Sequence, residues 1–245
     1  MARIDRRLDV SLAEPTLVEG FPGVGLVGKI VVDHLIEELD MDHYANVHCE
    51  GIPPVTTYKP DSSELVTPVR LYVDAERDLL ALQSDVPINP KAANAFADCV
   101  TEWFEAESVL PLYVSGLPRQ TEGEGPTLYG VGAGDGAARL RDAGIDTPNE
   151  MGIVSGPTGA LLAHAVEHDT TAVGVVVESD PQFPDPDAAK AVIERAVEPI
   201  AGVEIDTGDL TDKAAEIEQA REQLLKRMRQ ASEESSRAEP IRMYQ

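Results

Sequence analysis

Residues 16–39 read TLVEGFPGVGLVGKIVVDHLIEEL, and this stretch decides the fold class. Residues 16–19 are a short apolar strand candidate, which leads into the glycine-rich turn GFPGVGLVG over residues 20–28. Residues 26–39 then carry apolar side chains at i, i+4 and i+5, a spacing typical of one buried helical face. A strand, a glycine turn and an amphipathic helix in direct succession predict an α/β protein.

Downstream segments extend this prediction in two different ways. Residues 66–73 and 79–83 read as strands, and the turn between them is too short for a helix, so we expect an antiparallel meander. Over residues 78–205 strands and helices alternate, which predicts a mixed, largely parallel central sheet with helices on both faces. The strands expected there are 109–114, 128–131, 152–154 and 171–177, and the helices are 88–105, 136–143, 160–168 and 188–200.

Composition excludes several classes of protein. The chain has 245 residues and 42% apolar residues, and its 20 Lys+Arg against 44 Asp+Glu give a formal net charge of −24. Such a field repels phosphate, so neither nucleic acid nor an anionic membrane is an expected partner. No apolar run reaches the length of a membrane span, and the N-terminus MARIDRRLDV lacks the apolar region of a secretory signal.

The basic residues and the cysteines indicate the environment of the protein. Only six of the 20 basic residues are lysine, and an acidic, lysine-poor surface is typical of proteins from extreme halophiles, in which salt screens self-repulsion. Cys49 and Cys99 are too few for a zinc cluster of their own or for a disulfide framework. A cytoplasmic protein is therefore expected.

Gly23, Gly25 and Gly28 match the spacing G-x-G-x-x-G between a strand and a helix. Glu50 follows 22 residues after Gly28, close to the position of the acidic residue in dinucleotide-binding folds. Two features weaken that interpretation. Residues 20–22 separate the strand from the first glycine, and the chain after Glu50 continues as a meander rather than a second βα unit. A structural glycine turn is favoured, with a ligand site at the loop left open.

Two other patterns could form an anion-binding or a metal-binding site. The sequence SGPTG at residues 155–159 precedes a helix and could hold an anion, but it has no Lys or Arg, so capping by Ser155 or Thr158 is favoured. His164 and His168 have the i, i+4 spacing of two metal ligands, but no third ligand is identifiable. We find no catalytic constellation and expect no metal, no cofactor and no enzymatic activity.

The C-terminal region is organised differently from residues 1–205, which we assign to the α/β domain. Residues 206–231 predict an amphipathic helix with a narrow apolar stripe, and residues 232–245 predict a flexible tail. The stripe is formed by Leu210, Ala214, Ile217, Leu224, Met228 and Ala231. The tail ends in Met243, Tyr244 and Gln245, a hydrophobic-Tyr-X ending that can enter a pocket on a partner.

Five motifs together resemble the proteasome assembly chaperone family in its archaeal branch, over about residues 8–205. They are GFPGVGLVGKIVVDHLIEEL (20–39), GIPP (51–54), SDVPINP (84–90), SGLP (115–118) and MGIVSGPTGALL (151–162). The resemblance implies an α/β domain similar to nucleoside-phosphorylase-like folds without their catalysis. It also implies a homo-oligomer that engages the α-subunits of the 20S proteasome.

The same resemblance implies roles for the last three residues. In family members with this ending, the tail docks between adjacent α-subunits, so Met243 would be the apolar anchor, Tyr244 the specificity element and Gln245 the donor of the terminal carboxylate. Older labels on the family as ATP-grasp or ligase-like enzymes imply an alternative. In that alternative, the GVGLVG loop serves a nucleotide- or small-molecule-binding enzyme.

Overall fold

A computed structural model describes residues 3–58, 63–118, 125–182 and 184–210, and the fold within them is a single large sheet flanked by helices. Eight of its strands form this sheet in the order β1-β3-β6-β7-β2-β8-β10-β9, while β4 and β5 form a separate hairpin. The strands are β1 Arg3–Arg6, β2 Thr16–Gly20, β3 Asp42–His48, β4 Thr57–Tyr58, β5 Leu65–Val66, β6 Val69–Asp74, β7 Leu79–Ser84, β8 Leu110–Pro118, β9 Leu128–Ala133 and β10 Ala172–Ser179.

The helices connect these strands at the positions that the sequence predicts. A π-helical turn, Ile193–Val197, joins α5 to α6. The helices are α1 Val27–Glu38, α2 Ala93–Ala106, α3 Gly136–Asp142, α4 Gly156–Glu167, α5 Pro186–Val192 and α6 Glu198–Ala201. No helix in the described ranges is long and apolar enough to cross a membrane.

The pairing of the strands corrects one prediction. Among the described strands only β7–β2, β2–β8 and β8–β10 pair in parallel, so the sheet is mixed but not largely parallel. Both flanks are antiparallel, with β1, β3, β6 and β7 on one side and β9 against β10 on the other. Within this flank, β6 and β7 are antiparallel because a turn of a few residues can only reverse the chain. The predicted meander is confirmed.

Successive residues of the central strands are buried on opposite faces of the sheet, and helices cover both faces, as predicted. In β2, Leu17 packs in one core cluster and Val18 in the other, and Leu79 and Leu80 of β7 divide in the same way. Because successive strand residues point to opposite faces, a strand that is apolar throughout needs a covering layer on each face of the sheet. Helices α1, α3 and α5 cover one side, here called the α1 face, and α2 and α4 cover the other, the α4 face.

Three further outcomes concern the predicted elements. The strand expected at 152–154 is wrong: residues 151–155 are irregular, with Met151 99% and Ile153 91% exposed. A single disulfide joins Cys49 to Cys99, whose Cα atoms are 6.0 Å apart, and ties the end of β3 to α2. The predicted helix at 206–231 lies outside the described residues beyond 210, as does the whole tail at 232–245.

Candidate functional site

The glycine loop joins β2 to α1 by a close approach of backbones. Gly25 adopts φ +62°, and a Cβ at this position would lie 1.8 Å from Ser179 Oγ, so only glycine fits there. A Cβ on Gly28 would lie 3.4 Å from the carbonyl oxygen of Glu19, which shows how closely α1 packs on β2. A Cβ on Gly23 would make only an ordinary contact, 3.9 Å from the Phe21 carbonyl oxygen. This geometry fits a structural turn at Gly25 and Gly28 and leaves Gly23 facing a cavity.

That cavity, here called the edge cavity, has a volume of about 500 Å³ and lies at the carboxyl ends of β8 and β10. Its floor includes Ser115 and Val176, which share strand faces with Tyr113 and Ala172 and therefore look toward the α4 face. The glycine loop forms one wall, and residues 148–155, here called the roof segment, cover it. Sequence reasoning left a ligand site at the glycine loop open but missed the roof of the cavity, because residues 152–154 were predicted as a strand.

The topology explains why a cavity forms at this edge. Strands β2 and β8 are parallel neighbours, but the chain leaves β2 toward β3 on one side and leaves β8 toward β9 on the other. Connections that diverge in this way open a crevice beyond the carboxyl ends of the strands, which is where ligands bind in open α/β sheets. The arrangement makes the edge cavity the candidate ligand site of the fold.

Glu19 lies at the end of β2, fully buried on the α4 face. Its Oε1 accepts a hydrogen bond from the Phe21 N–H at 2.8 Å, and its Oε2 accepts one from Thr158 Oγ1 at 3.2 Å. Burial raises the pKa of Glu19 to about 7, although these hydrogen bonds act in the opposite direction. The buried Tyr113 has a pKa raised by desolvation and by the nearby Glu19. Glu19 therefore joins the glycine loop to the first turn of α4.

A second buried polar group lies on the α1 face. Arg70 of β6 is fully buried, and its guanidinium bonds Asp85 at 2.8 Å and also donates to Gln83 Oε1. Lys29 of α1 lies 3.4 Å from Asp85 and 2.8 Å from Asp33. Burial raises the pKa of Asp85, but the charges and hydrogen bonds of Arg70 and Lys29 outweigh it and hold that pKa below its ordinary value. This cluster is a paired structural network.

The remaining sequence candidates do not converge on a reactive site. Ser155 is the N-cap residue of α4 but makes no side-chain capping bond, and Thr158 bonds to Glu19 instead. The rings of His164 and His168 stack with centroids 3.9 Å apart, and His168 Nδ1 lies 2.9 Å from the His164 carbonyl oxygen. Within the described ranges, no group of three or more His, Cys, Asp or Glu side chains could hold a metal ion.

Sequence reasoning also missed Glu19 and Arg70. The available signal was a charged residue inside an apolar strand, in TLVEG and VRLYV, because a charge at such a position must be buried and needs a partner. Thr158 lies 139 residues from Glu19 along the chain, whereas Asp85 lies just beyond the β6–β7 hairpin that contains Arg70.

Comparison with known sequences identifies the family. The sequence model of the PAC2 family matches residues 17–225. The chain belongs to the PAC2 family. Two proteins of Methanocaldococcus jannaschii, both described as uncharacterized, are similar to this PAC2 protein. One is 28% identical over 190 residues, covering 76% of this chain and 75% of the relative; the other is 24% identical over 221 residues, covering 88% and 84%.

Solved structures share the fold of this PAC2 protein. PbaA of Pyrococcus furiosus, described as an archaeal homolog of proteasome-assembly chaperone, has a TM-score of 0.78 at 23% identity, with 95% of each chain covered. PbaB of the same organism, described as an archaeal proteasome activator, has a TM-score of 0.75 at 22% identity, covering 91% of this chain and 98% of PbaB. At these identities the likeness establishes the mixed α/β fold. Met243, Tyr244 and Gln245 lie outside the described residues.

Proposed function

We propose that this PAC2 protein is a non-enzymatic, homo-oligomeric proteasome assembly chaperone or adaptor, and that it binds the α-ring of the 20S proteasome through its C-terminal tail. The observation that carries the proposal is the family match over residues 17–225, together with a fold shared with PbaA and PbaB. The α/β body, similar in architecture to nucleoside phosphorylases but without their catalysis, serves as the scaffold for self-association.

The tail provides the contact with the proteasome. Met243 supplies an apolar anchor, Tyr244 an aromatic ring with a hydroxyl, and Gln245 the terminal carboxylate, which pairs with a cation in the pocket between α-subunits. The polar residues 232–240 tether this ending to the predicted helix at 206–231. An oligomer presents several tails at once, so a weak single contact becomes strong through multivalency.

The formal net charge supports a role in a salt-rich cell. A formal net charge of −24 repels other acidic macromolecules at low ionic strength, and molar salt shortens the range of that repulsion to a few ångströms. Binding to α-subunits is therefore measured best in molar salt.

A pull-down of 20S α-subunits in molar salt tests the proposal. We expect the intact chain to bind, and we expect deletion of residues 243–245 or Tyr244→Ala to weaken binding about tenfold or more, because aromatic anchors dominate small interfaces. Tyr244→Phe keeps the aromatic ring and removes the hydroxyl, so it separates their contributions to binding. Tyr58→Ala removes a tyrosine that is 78% exposed elsewhere on the protein and is the matched control.

Each result of the pull-down has a defined meaning. Binding that survives deletion of residues 243–245 places the interface on the α/β body and contradicts the tail mechanism. Absence of binding by both forms contradicts the proteasome partnership itself. Equal loss with Tyr58→Ala and Tyr244→Ala shows that the loss is not specific to the tail.

The alternative function, a nucleotide- or small-molecule-binding enzyme at the GVGLVG loop, is favoured by one observation: the edge cavity opens beside Gly23. Thermal unfolding with ATP, NAD and nucleosides tests the nucleotide form of it. A ligand at a hundredfold excess over its Kd stabilises a folded protein by about 2.7 kcal/mol. Lack of any shift with all of them contradicts the nucleotide-binding alternative.

A further inference from the structure

The walls of the edge cavity are held in place by backbone contacts. A Cβ on Gly116 would lie 2.4 Å from the Val24 carbonyl oxygen, so the glycine loop rests directly on β8. A Cβ on Gly159 would lie 2.4 Å from the Val154 carbonyl oxygen, so the roof segment rests directly on the first turn of α4. These contacts fix the glycine loop against β8 and Val154 against α4, and a cavity of about 500 Å³ lies in the range of small-molecule sites.

The chemistry of the lining selects a class of ligand. The described lining residues include the aromatic rings of Phe21 and Tyr129 among mostly aliphatic side chains. Ser115, Ser155 and Tyr129 add hydroxyl groups and Asn149 adds an amide, all of which can bond to polar atoms of a ligand. Glu150 is the charged member of the described lining, and no Lys, Arg or His belongs to it. Such a lining disfavours a phosphate or carboxylate ligand, which needs a cation or several amide donors.

We propose that the edge cavity is a binding site for a small, uncharged aromatic molecule. Its position at the divergence of β2 and β8 is where the fold class places ligands, and its volume admits one or two fused rings. Its lining offers the half-buried Tyr129 ring among aliphatic side chains, with neutral polar groups between them. This function is separate from the proposed contact of the tail with the proteasome, because the cavity and residues 243–245 share no residue.

The methionines provide a direct readout in the full-length chain. Among the five methionines, Met151 lies on the roof segment and lines the cavity, whereas Met41 is buried in the core and serves as an internal reference. Indole is the probe. With 13C-methyl methionine labelling, indole should shift the Met151 signal saturably and leave Met41 unchanged. A ligand of about ten heavy atoms supports a Kd on the order of 1 mM or tighter.

A matched pair of substitutions locates the binding. Val176→Phe adds an aromatic ring to the cavity floor and should weaken indole binding about tenfold or more, because the space is filled. Val166→Phe makes the same change on α4 at a residue that is 70% exposed and outside the lining, and it should leave binding unchanged. If Val176→Phe disturbs the Met41 signal, Ser115→Leu fills the same floor at a half-buried position and replaces it.

Charged analogues define the ligand class. Indole-3-acetate and tryptamine carry the same rings with a negative or a positive charge, and both should bind about tenfold more weakly than indole because their charges must be desolvated. Equal affinity for either analogue overturns the uncharged class. Lack of a saturable Met151 shift, or equal indole binding by Val176→Phe and Val166→Phe, overturns the site. A Met151 signal that shifts with protein concentration but not with indole assigns the cavity to a second copy of the chain and also overturns it.

Discussion

The two faces of the central sheet bury acidic groups near the same edge in opposite ways. On the α1 face, Asp85 lies beside Arg70 and Lys29, and their charges hold its pKa below the ordinary value of 3.8. On the α4 face, Glu19 has neutral hydrogen-bond partners, the Phe21 N–H, the Thr158 hydroxyl and the backbone of Val114, and burial raises its pKa to about 7. Hydrogen bonds from neutral groups thus offset the rise in pKa caused by burial less than a nearby cation does.

This difference assigns different roles to the two groups. The lowered pKa keeps Asp85 ionised at neutral pH, and its contacts with Lys29 and Arg70 tie α1 to the β6–β7 hairpin. Glu19 changes charge near neutral pH, between the glycine loop and the first turn of α4. The stability of the α1 face should therefore depend on retention of the partner, and that of the α4 face on pH.

The largest effect is expected from removal of Arg70. Arg70→Met keeps much of the side-chain volume but leaves the half-buried Asp85 without its strongest partner, and removing one member of a buried ion pair costs up to about 3–5 kcal/mol. Urea unfolding in molar salt measures the loss. Arg77→Met is the control, because Arg77 pairs with Asp74 from a side chain that is 44% exposed. A loss below about 1 kcal/mol for Arg70→Met would show that this network is not structural.

The next effect is expected from Glu19→Gln and depends on pH. Folding raises the pKa of Glu19 from 4.5 to about 7, so its favourable contribution is complete below pH 4.5 and is lost as the pH rises to about 7. Glutamine carries no charge and keeps an acceptor for Phe21. Glu19→Gln should therefore stabilise the protein at about pH 8 by roughly 2–3 kcal/mol more than at about pH 4.5.

Measurement of this pH dependence needs a charge control, since the chain is strongly acidic. Unfolding of Glu19→Gln is compared in molar salt with that of Glu102→Gln, which removes one charge from an exposed position on α2. A difference between Glu19→Gln and the parent that is the same at both pH values would contradict a raised pKa in the folded state.

The smallest effect is expected from removal of the hydrogen bond that the Thr158 hydroxyl donates to Glu19. Thr158→Val preserves the shape of the side chain but removes the donor, which should cost about 1 kcal/mol. It should also raise the pKa of Glu19 further, because one bond to the carboxylate is lost. Thr158→Ser keeps the hydroxyl and should retain the midpoint of the parent in the pH profile of unfolding. Identical pH profiles for Thr158→Val and Thr158→Ser would contradict an effect of the Thr158 hydroxyl on the pKa of Glu19.

Local patterns predicted much of the fold. The strand at residues 16–19, the helix after the glycine turn and the antiparallel meander were all predicted, because each depends on side-chain periodicity over a few residues or on the length of a turn. The prediction of a largely parallel sheet was wrong. It rested on strand–helix alternation, which does not specify that β9 lies antiparallel at the edge beside β10.

The candidate site was predicted only in part. Gly23 and Gly28 were singled out from their spacing, and both line the edge cavity. The irregular roof segment was predicted as a strand at 152–154, because its short apolar run is ambiguous when no pairing partner is known. The exposure of Met151 and Ile153 follows from the absence of a covering element within the described residues.

The sequence by itself determined the α/β class, the glycine turn, the acidic character and the family resemblance later established as PAC2 membership, because these depend on composition and on short ordered motifs. Tertiary structure alone decided that Gly25 must pass Ser179, that Glu19 meets Thr158 and that a cavity opens beside Gly23. The physical reason is distance along the chain. Periodicity describes neighbours within a few turns, whereas each of these three features joins segments more than a hundred residues apart.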